Sequence, residues 1–208
     1  GVEKTATGLA IVPSKREHPA APAGRRFEVV VIGGGVFGLF CSLALAQAGK
    51  SVAIVERGKA WGEASAVNAG SLGVQNKLPA LVPYTLWAWE IWNGLSARLG
   101  ADIGLRRDGG YKVAMTPAEA ERLFAVSRQQ EALGLEVRRL GPDEIRRRAG
   151  WLSQDCAAAT FSQQDGYASP TLVGPALRRA VEAAGVTIAN DAAVHAISRD
   201  GDLRVETS

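Results

Sequence analysis

The amino-acid sequence predicts an α/β fold with a parallel sheet, interrupted by a second, mixed region. The chain has 208 residues, of which 47% are hydrophobic and 22% charged, a composition typical of ordered globular domains. Residues 29–49 contain no charged side chain, and the glycines at positions 33–35 divide them into a β-branched run and a Leu/Ala-rich run. The predicted order is strand, helix and strand, then the mixed region, then helix, strand and hairpin. Helices that connect parallel strands produce this order.

The first three elements are defined by apolar runs on either side of the glycines. Residues 27–32 predict a buried strand, residues 36–48 a buried helix and residues 51–56 a second strand. A membrane span is the alternative for an uncharged segment of this length. The three glycines inside the segment favour the strand and helix.

Residues 57–99 contain a segment without periodicity followed by one with helical periodicity. Residues 57–83 have no clear period and are rich in Gly, Ala, Ser and Asn, which predicts a long functional loop. Residues 84–99 return to helical spacing. The apolar face of this predicted helix consists of Tyr84, Trp87, Ile91, Leu95 and Leu99.

A capping-box sequence predicts where the following helix starts. Thr116 and Glu119 are three residues apart, and Pro117 occupies the first helical position, so a helix extends from here to about Leu133. The other elements predicted in this region are a strand at 111–115, a short basic helix opened by Gly141-Pro142, and a strand at 157–162.

The last 40 residues or so again predict a helix followed by a strand, as in the first part of the chain, and then a hairpin. Ser169-Pro170 starts a helix with a broad apolar stripe, and residues 186–189 predict a strand. Residues 192–199 and 203–207 predict a hairpin that turns at Asp200-Gly201. The apolar stripe of the helix consists of Leu172, Val173, Ala176, Leu177, Ala180, Val181 and Ala184.

The turn after the first strand matches the pattern GxGxxG at Gly33, Gly35 and Gly38. Between a strand and a helix, these glycines allow a tight turn, close approach of the backbone to a pyrophosphate, and close packing of the helix on the strand. The helix N-terminus offers N–H groups and a positive dipole end to phosphates. Glu56 ends the second strand 21 residues after Gly35, where it can accept hydrogen bonds from ribose hydroxyls. The pattern predicts a bound adenine dinucleotide; a structural glycine turn that binds nothing is the alternative.

The residues at the end of the second strand also bear on which dinucleotide binds. Glu56 would repel the 2′-phosphate of NADP, although the adjacent Arg57 leaves a small opening for one. The fingerprint itself does not separate FAD from NAD.

Four segments resemble one family of flavoproteins. They are VVVIGGGVFGLFCSLALAQAGKSVAIVERG, ASAVNAGSLG, DIGLRRDGGYKVAMTPAEAERL and QQDGYASPTLVGPALRRAVEAAGVTIANDAAVHAI. In this order they resemble the FAD-dependent family of glycine oxidase, D-amino-acid oxidase and dehydrogenase, and sarcosine oxidase. The resemblance implies FAD as the cofactor and an incomplete, N-terminal portion of the family's fold, in which a Rossmann-like FAD-binding domain is interrupted by part of an α+β substrate domain.

The resemblance also implies site residues and domain boundaries. Small residues at 69–71 would let the backbone lie flat against a ring system, with an ordinary turn as the alternative. The residues implied to contact FAD are Gly33, Gly35, Val36, Phe37 and Gly38 at the pyrophosphate, Glu56 and Arg57 at the adenosine ribose, Ser65 at the phosphates or ribityl chain, Asn68, Ala69, Gly70, Ser71 and Leu72 along the isoalloxazine, and Val194 at the adenine edge. The implied segments are a flexible arm at 1–26, FAD-binding parts at 27–83 and 166–208, and an inserted substrate region at 84–165.

The resemblance implies oxidation of a small amino acid or N-substituted amino acid by hydride transfer to FAD. The family's substrate-binding arginine and much of its pocket usually come from the later half, so no catalytic residue is assigned. We expect a cleaved chain or one of two subunits, with a second polypeptide that completes the fold. The alternatives are an FAD-binding subunit that is inactive alone and an NAD-binding dehydrogenase.

Composition excludes several other functions. A net charge of +3, from 24 basic and 21 acidic residues, is too small and scattered to indicate nucleic acid. Cys41 and Cys156 lie far apart without metal-type spacing, so we expect no metal and a cytoplasmic protein with reduced thiols. Trp87, Trp89 and Trp92 indicate core or interdomain packing, with a subunit or membrane-surface contact as the alternative.

Overall fold

The computed structural model describes residues 24–208 and the backbone of two short strands near the N-terminus. Apart from these strands and residues 24–26, the predicted arm at 1–26 lies outside the described residues. The chain divides into two compact units, Gly1–Glu63 with Val181–Ser208, and Ala64–Ala180. The domain boundaries expected from the sequence stay a prediction.

The elements are numbered in chain order. The strands are β1 (Val2–Thr5), β2 (Gly8–Ile11), β3 (Val29–Ile32), β4 (Val52–Val55), β5 (Ser71–Leu72), β6 (Gly110–Ala114), β7 (Arg138–Leu140), β8 (Ala158–Ser162), β9 (Gly166–Tyr167), β10 (Thr187–Ala189), β11 (Val194–Asp200) and β12 (Asp202–Thr207). The helices are α1 (Val36–Gln47), α2 (Ala64–Val67), α3 (Val82–Asn93), α4 (Leu95–Leu99), α5 (Pro117–Glu131), α6 (Pro142–Arg148) and α7 (Pro170–Ala183), with one 3₁₀ turn at Pro79–Leu81.

The first unit is built on the parallel sheet that the sequence predicts. Its strand order is β10-β4-β3, and both pairs are parallel. All four residues of β4 are buried, as the continuous β-branched pattern of a central parallel strand requires. The expected fold class, an α/β fold with a parallel sheet, is confirmed.

The prediction that the first strand is buried on both faces was wrong. Val30 is 37% exposed and Ile32 is 52% exposed. The helix after it, α1, is also only partly buried, since Cys41 and Ala44 are exposed. Val30 and Ile32 alternate with the half-buried Val29 and Val31, so they share one face of the sheet, and that face of β3 is left largely uncovered by residues 24–208. Within the same residues β3 pairs with β4 alone and so also lies at an edge of its sheet.

The C-terminal hairpin of the first unit closes a small core. Strands β11 and β12 pair antiparallel and turn at Gly201, whose φ of +74° favours glycine. This agrees with the predicted hairpin and its turn. The core cluster that involves this hairpin contains Val55, Ala189 and Ala192, with Val194 and Val205 packed against it.

The second unit contains an antiparallel sheet of order β6-β8-β7. Helix α5 packs on it through Leu123, which contacts Ala114 and Ala158. The capping box predicted for α5 is present, because the Thr116 hydroxyl accepts the Glu119 N–H at 3.3 Å and the Glu119 carboxylate accepts the Thr116 N–H at 3.2 Å.

The helix predicted at 84–99 differs from the structure both in its length and in which of its faces is buried. It is two helices, α3 and α4, separated at Gly94. Tyr84 and Trp87, expected on the buried face, are each 68% exposed. Instead, Leu86 and Trp89 pack against the core, which consists of Val74, Val82, Leu135 and Val137.

The loop predicted at 57–83 contains short elements, namely α2, β5 and the 3₁₀ turn. The strands β1, β2, β7 and β9 were not predicted from the sequence either, and β1 and β2 fall in the segment expected to be a flexible arm. These segments have two to four residues each, too few for a periodic pattern to identify. Across the described residues, no helix is long and apolar enough to cross a membrane. The same residues contain no group of three His, Cys, Asp or Glu side chains that could hold a metal ion.

Candidate functional site

The glycine turn lies in the first unit, between the end of β3 and the start of α1. Gly33 has φ +103°, which disfavours other residues, and its N–H donates to the Val55 carbonyl at 2.8 Å. At Gly38, an added Cβ would lie 1.9 Å from the Gly33 carbonyl oxygen. The first turn of α1 therefore packs directly against the glycine turn, as the fingerprint predicts.

The N-terminus of α1 has the features of an anion-binding end. Gly35 is its N-cap in an extended conformation, so no side chain caps the helix, and the first turn contains no acidic residue. Phe37, in this first turn, is 84% exposed. Backbone N–H groups and the positive dipole end are directed out of the helix at this point, without an acid of the same turn to neutralise them.

Glu56 fixes the glycine turn from the end of β4. Its carboxylate accepts the Gly34 N–H at 2.7 Å through Oε2 and the Gly58 N–H at 2.9 Å through Oε1. Each carboxylate oxygen has a second lone pair, so both can still accept a hydrogen bond from a ligand hydroxyl. The structure therefore brings Glu56 and the glycine turn together, and it gives Glu56 a structural role that the sequence analysis did not foresee.

The turn at residues 60–61 packs against the glycine turn, a contact that was not predicted from the sequence. The Trp61 N–H donates to the Gly34 carbonyl at 2.8 Å, and the Asn190 side chain accepts the Ala60 N–H at 2.8 Å. An added Cβ at Gly34 would lie 2.9 Å from Ala60, so this position of the fingerprint also requires glycine. No local sequence pattern predicts the Ala60–Asn190 contact, because the two residues are 130 positions apart in the chain.

Arg57 and Val194 flank this region of the first unit. Arg57 forms an ion pair with Glu63 at 2.5 Å, and the hydrogen bond and charge of Glu63 raise the pKa of the Arg57 guanidinium above its ordinary value. Val194 follows Ala192, whose N–H donates to the Glu56 carbonyl at 2.9 Å. Arg57 is thus already paired with a carboxylate, which weakens its capacity to hold a 2′-phosphate.

The other predicted site residues lie in the second unit. The Asn68 side chain accepts the Gly70 N–H at 2.7 Å and donates to the Ser65 carbonyl at 2.7 Å, which stabilises the turn after α2. Ala69 is exposed, and Ser71 and Leu72 form β5, which pairs with β9.

Gly70 is required by its protein neighbours. Its φ is +70°, and an added Cβ would lie 2.2 Å from the Ala168 carbonyl and 2.6 Å from the Tyr167 ring. The small residues here were expected to lie against a flat ligand ring. Contact with β9 by itself explains the glycine.

A buried polar network near β5 also escaped the sequence analysis. Asp165 is 8% exposed and accepts the N–H groups of Val74 and Gln75 at 2.5 and 3.2 Å. Gln75 in turn donates to the second Asp165 oxygen at 2.7 Å and accepts the Thr160 hydroxyl at 2.7 Å. Because its polar groups are paired, this network holds residues 74–75 in one conformation.

The family model and the relatives that this chain matches indicate the same protein family. The family model described as FAD dependent oxidoreductase (DAO) matches residues 28–208. The glycine oxidase of Bacillus subtilis (strain 168) is 28% identical over an alignment of 185 residues, which covers 86% of this chain and 49% of that protein. The glycine oxidase of Geobacillus kaustophilus (strain HTA426) is 32% identical over an alignment of 171 residues, which covers 78% of this chain and 45% of that protein.

The structural comparison agrees. The crystal structure of glycine oxidase from Geobacillus kaustophilus aligns with a TM-score of 0.81 and 30% identity, covering 88% of this chain and 52% of that chain. The chain therefore spans about half the length of the relatives it matches.

Proposed function

This chain belongs to the family of FAD-dependent oxidoreductases, as its resemblance predicts, and we propose that the protein oxidises a small amino acid or N-substituted amino acid. The similarity to two glycine oxidases supports a substrate with a C–H bond next to an amine.

The observation that carries the cofactor part of the proposal is the arrangement of the glycine turn, the N-terminus of α1 and Glu56 around one end of the sheet. The N-terminus of α1, where the N-cap is a glycine and the first turn has no acidic residue, fits the negative charge of a pyrophosphate, and Glu56, held beside the turn, fits a ribose hydroxyl. The residues that would hold FAD are Gly33, Gly35, Val36, Phe37 and Gly38 at the pyrophosphate, Glu56 and Arg57 at the ribose, Val194 at the adenine, Ser65 at the phosphates or ribityl chain, and Asn68, Ala69, Gly70, Ser71 and Leu72 along the ring.

When bound, FAD supplies a ring that accepts a hydride from the carbon next to the amine, which leaves an imine for water to hydrolyse. The chain's own residues bind and orient. The α1 N-terminus offsets phosphate charge, Glu56 fixes the ribose, and the Asn68 side chain keeps the segment at 68–72 in one turn conformation.

A second candidate is an FAD-binding polypeptide that is inactive until another polypeptide segment completes it. The free edge of β3 favours this candidate. Among the described residues β3 pairs with β4 alone, so its other edge accepts a further strand, and the added segment would also cover the exposed Val30 and Ile32 side chains. An NAD-binding dehydrogenase is the third candidate, since Glu56 can accept hydrogen bonds from the ribose of either dinucleotide.

The deciding experiment is a visible absorption spectrum of the purified protein, repeated on the supernatant after denaturation. A flavin spectrum that moves into the supernatant supports a non-covalent flavin, and chromatography against FAD and FMN standards identifies it. A flavin spectrum that stays with the pellet indicates a covalent link, which the proposal does not predict. Folded protein without flavin contradicts the oxidase and leaves NAD or a site that awaits another polypeptide. Intact mass and a denaturing gel on the same sample show whether a second polypeptide is present.

The variant Glu56→Gln tests the site itself. An amide places an N–H₂ group against the N–H of Gly34 or Gly58, so we expect FAD to bind more weakly. The loss of one charge-assisted hydrogen bond corresponds to about 1.5–3 kcal/mol. FAD affinity is measured by fluorescence quenching, and unchanged affinity in a folded Glu56→Gln protein would exclude Glu56 from the ribose site.

A further inference from the structure

The second unit contains a cavity of about 200 Å³ with an unusual lining. Its wall includes two tryptophans, Trp89 and Trp92, and two basic residues, Lys77 and Arg107, with no acidic residue. The volume is below the roughly 300–1,000 Å³ of sites that hold drug-sized ligands, so it fits a smaller molecule.

Arg107 is held in place without a carboxylate partner. Its Nε donates to the Asn93 side chain at 2.8 Å, its Nη2 donates to the Trp89 carbonyl at 3.2 Å, and its Cζ lies 4.9 Å from the centre of the Trp89 ring. The remaining nitrogen, Nη1, is buried and has no hydrogen-bond partner. Partial burial of the guanidinium lowers the pKa of Arg107 from its ordinary value. Such a cation is stabilised by an anion beside it.

Lys77 adds a second positive charge to the same wall. No carboxylate among the residues of 24–208 forms an ion pair with Lys77 or Arg107. The wall also contains two hydroxyl side chains, Ser71 and Thr85. The Thr85 hydroxyl donates to the carbonyls of Leu81 and Val82, about one turn earlier in the chain. The cavity therefore has an excess of two positive charges without neutralisation by its own wall.

The wall is also fixed before any ligand arrives. The Gln130 side chain donates to the carbonyls of Gln75 and Lys77 at 2.9 and 2.7 Å. The Gln163 side chain donates to the Arg107 carbonyl at 2.5 Å. These bonds hold the backbone at residues 75, 77 and 107, and the Arg107 side chain is itself held by Asn93 and Trp89. A guanidinium that is already ordered loses little conformational entropy on binding, so its arrangement favours a bound ligand.

We infer that this cavity binds the carboxylate of a small organic acid, with Arg107 as its main contact, Lys77 as a second charge, and Trp89 and Trp92 against its apolar part. A guanidinium pairs with a carboxylate more favourably than an ammonium does, because its N–H groups match the two oxygens. Neither basic residue belongs to the proposed FAD site, and binding of an acid here does not need FAD. The cavity wall also includes Ser71 and Leu72, which the proposed function places along the flavin ring, so the cavity adjoins that site. The carboxylate can come from the substrate amino acid or from a separate acid, and the test below distinguishes these sources.

The test is titration of the whole protein with phenylacetate, followed by tryptophan fluorescence and calorimetry. We expect saturable binding of phenylacetate and much weaker binding of 2-phenylethanol and phenethylamine, which lack the carboxylate. The variant Arg107→Gln should lose roughly tenfold or more in affinity, and Lys77→Gln less. The matched control is Arg106→Gln, because Arg106 is exposed and does not line the cavity.

Three results would overturn the inference. They are no saturable binding at about 10 mM phenylacetate, equal affinity for 2-phenylethanol, or unchanged affinity in folded Arg107→Gln. If Arg107→Gln does not fold, Lys77→Gln and Arg107→Lys decide, and wild-type affinity in both rejects the site. Binding is measured first without FAD, so a failure of the proposed function leaves this result readable. In FAD-loaded protein, competition between phenylacetate and sarcosine assigns the cavity to the substrate, and simultaneous binding assigns it to a separate acid.

Discussion

At the scale of single residues, the glycine turn is defined by positions where any side chain would collide with backbone. Gly33 needs its positive φ, and Gly38 faces the Gly33 carbonyl at a distance that leaves no room for a methyl group. The sequence pattern predicts both because the spacing GxGxxG reflects these local requirements. It does not predict the need for glycine at Gly34, which depends on Ala60 in a later turn.

The variant Gly38→Ala tests the close packing of α1 on the turn. The added methyl group would lie 1.9 Å from the Gly33 oxygen, so α1 has to move away from the turn. We expect a loss of about 1–3 kcal/mol in the free energy of unfolding and weaker binding of FAD. Urea denaturation and FAD titration measure the two effects. Gly94→Ala is the control, since its φ is −87° and its added Cβ would meet nothing closer than 4.0 Å. Equal stability of both variants would contradict the close packing.

At the scale of elements, the sequence predicts those whose signals are local. The start of α5 is set by three residues, Thr116, Pro117 and Glu119, and the structure contains their capping box. The facing of α3 is not local. Apolar residues occur on several sides of this helix, and the side that becomes buried is chosen by Leu135 and Val137, about 50 positions later in the chain. The same limit explains the buried Asp165, whose partners Val74 and Gln75 precede it by about 90 residues.

The capping box of α5 predicts a defined pH dependence. The N–H groups of Met115 and Thr116 hydrogen-bond to Glu119 and lower the pKa of its carboxyl. A lowered pKa in the folded state means that the stabilising effect of Glu119 is complete above its unfolded-state pKa. The effect is lost as the pH falls through the folded-state pKa. The difference in unfolding free energy between wild type and Glu119→Gln should therefore be largest at neutral pH and shrink in acid. Thr116→Ala should cost about 1 kcal/mol. Urea unfolding between neutral and acid pH measures both, and a difference that grows in acid would contradict the assignment.

A pair of tryptophan variants tests the facing of α3. Trp89 packs against the core of the second unit, whereas Trp87 is 68% exposed. We expect Trp89→Ala to lower the free energy of unfolding by about 2 kcal/mol or more. Trp87→Ala should change it by less than about 0.5 kcal/mol. Thermal or urea unfolding compares the two variants. A larger loss of unfolding free energy in Trp87→Ala than in Trp89→Ala would mean that the buried face of α3 is the one predicted from the sequence.

At the scale of the whole molecule, the sequence predicts the fold class because it depends on the order of elements, which tolerates errors in single elements. The parallel pairs β3–β4 and β10–β4 form although residues 64–180, folded as a separate unit, come between β4 and β10. The sequence does not reveal which strand lies at an edge. The residues of β3 are as apolar as those of β4, yet β4 is buried and β3 is half exposed.

The edge of β3 leads to a prediction about hydrogen exchange. The Val29 and Gly33 N–H groups donate to carbonyls at 51 and 55, and N–H directions alternate along a strand. The N–H groups of Val30 and Ile32 therefore face away from β4, on the side where no strand among the described residues pairs with β3.

In the 208-residue protein, we expect the amides of Val30 and Ile32 to exchange about tenfold or more faster than those of Val29 and Val31. NMR-detected exchange resolves the four amides. A further segment or polypeptide that completes the sheet should slow the exchange of Val30 and Ile32 and leave Val29 and Val31 nearly unchanged. Equal protection of all four without such a partner would mean that the edge is already covered, and repeating the experiment on diluted protein would show whether a second copy covers it.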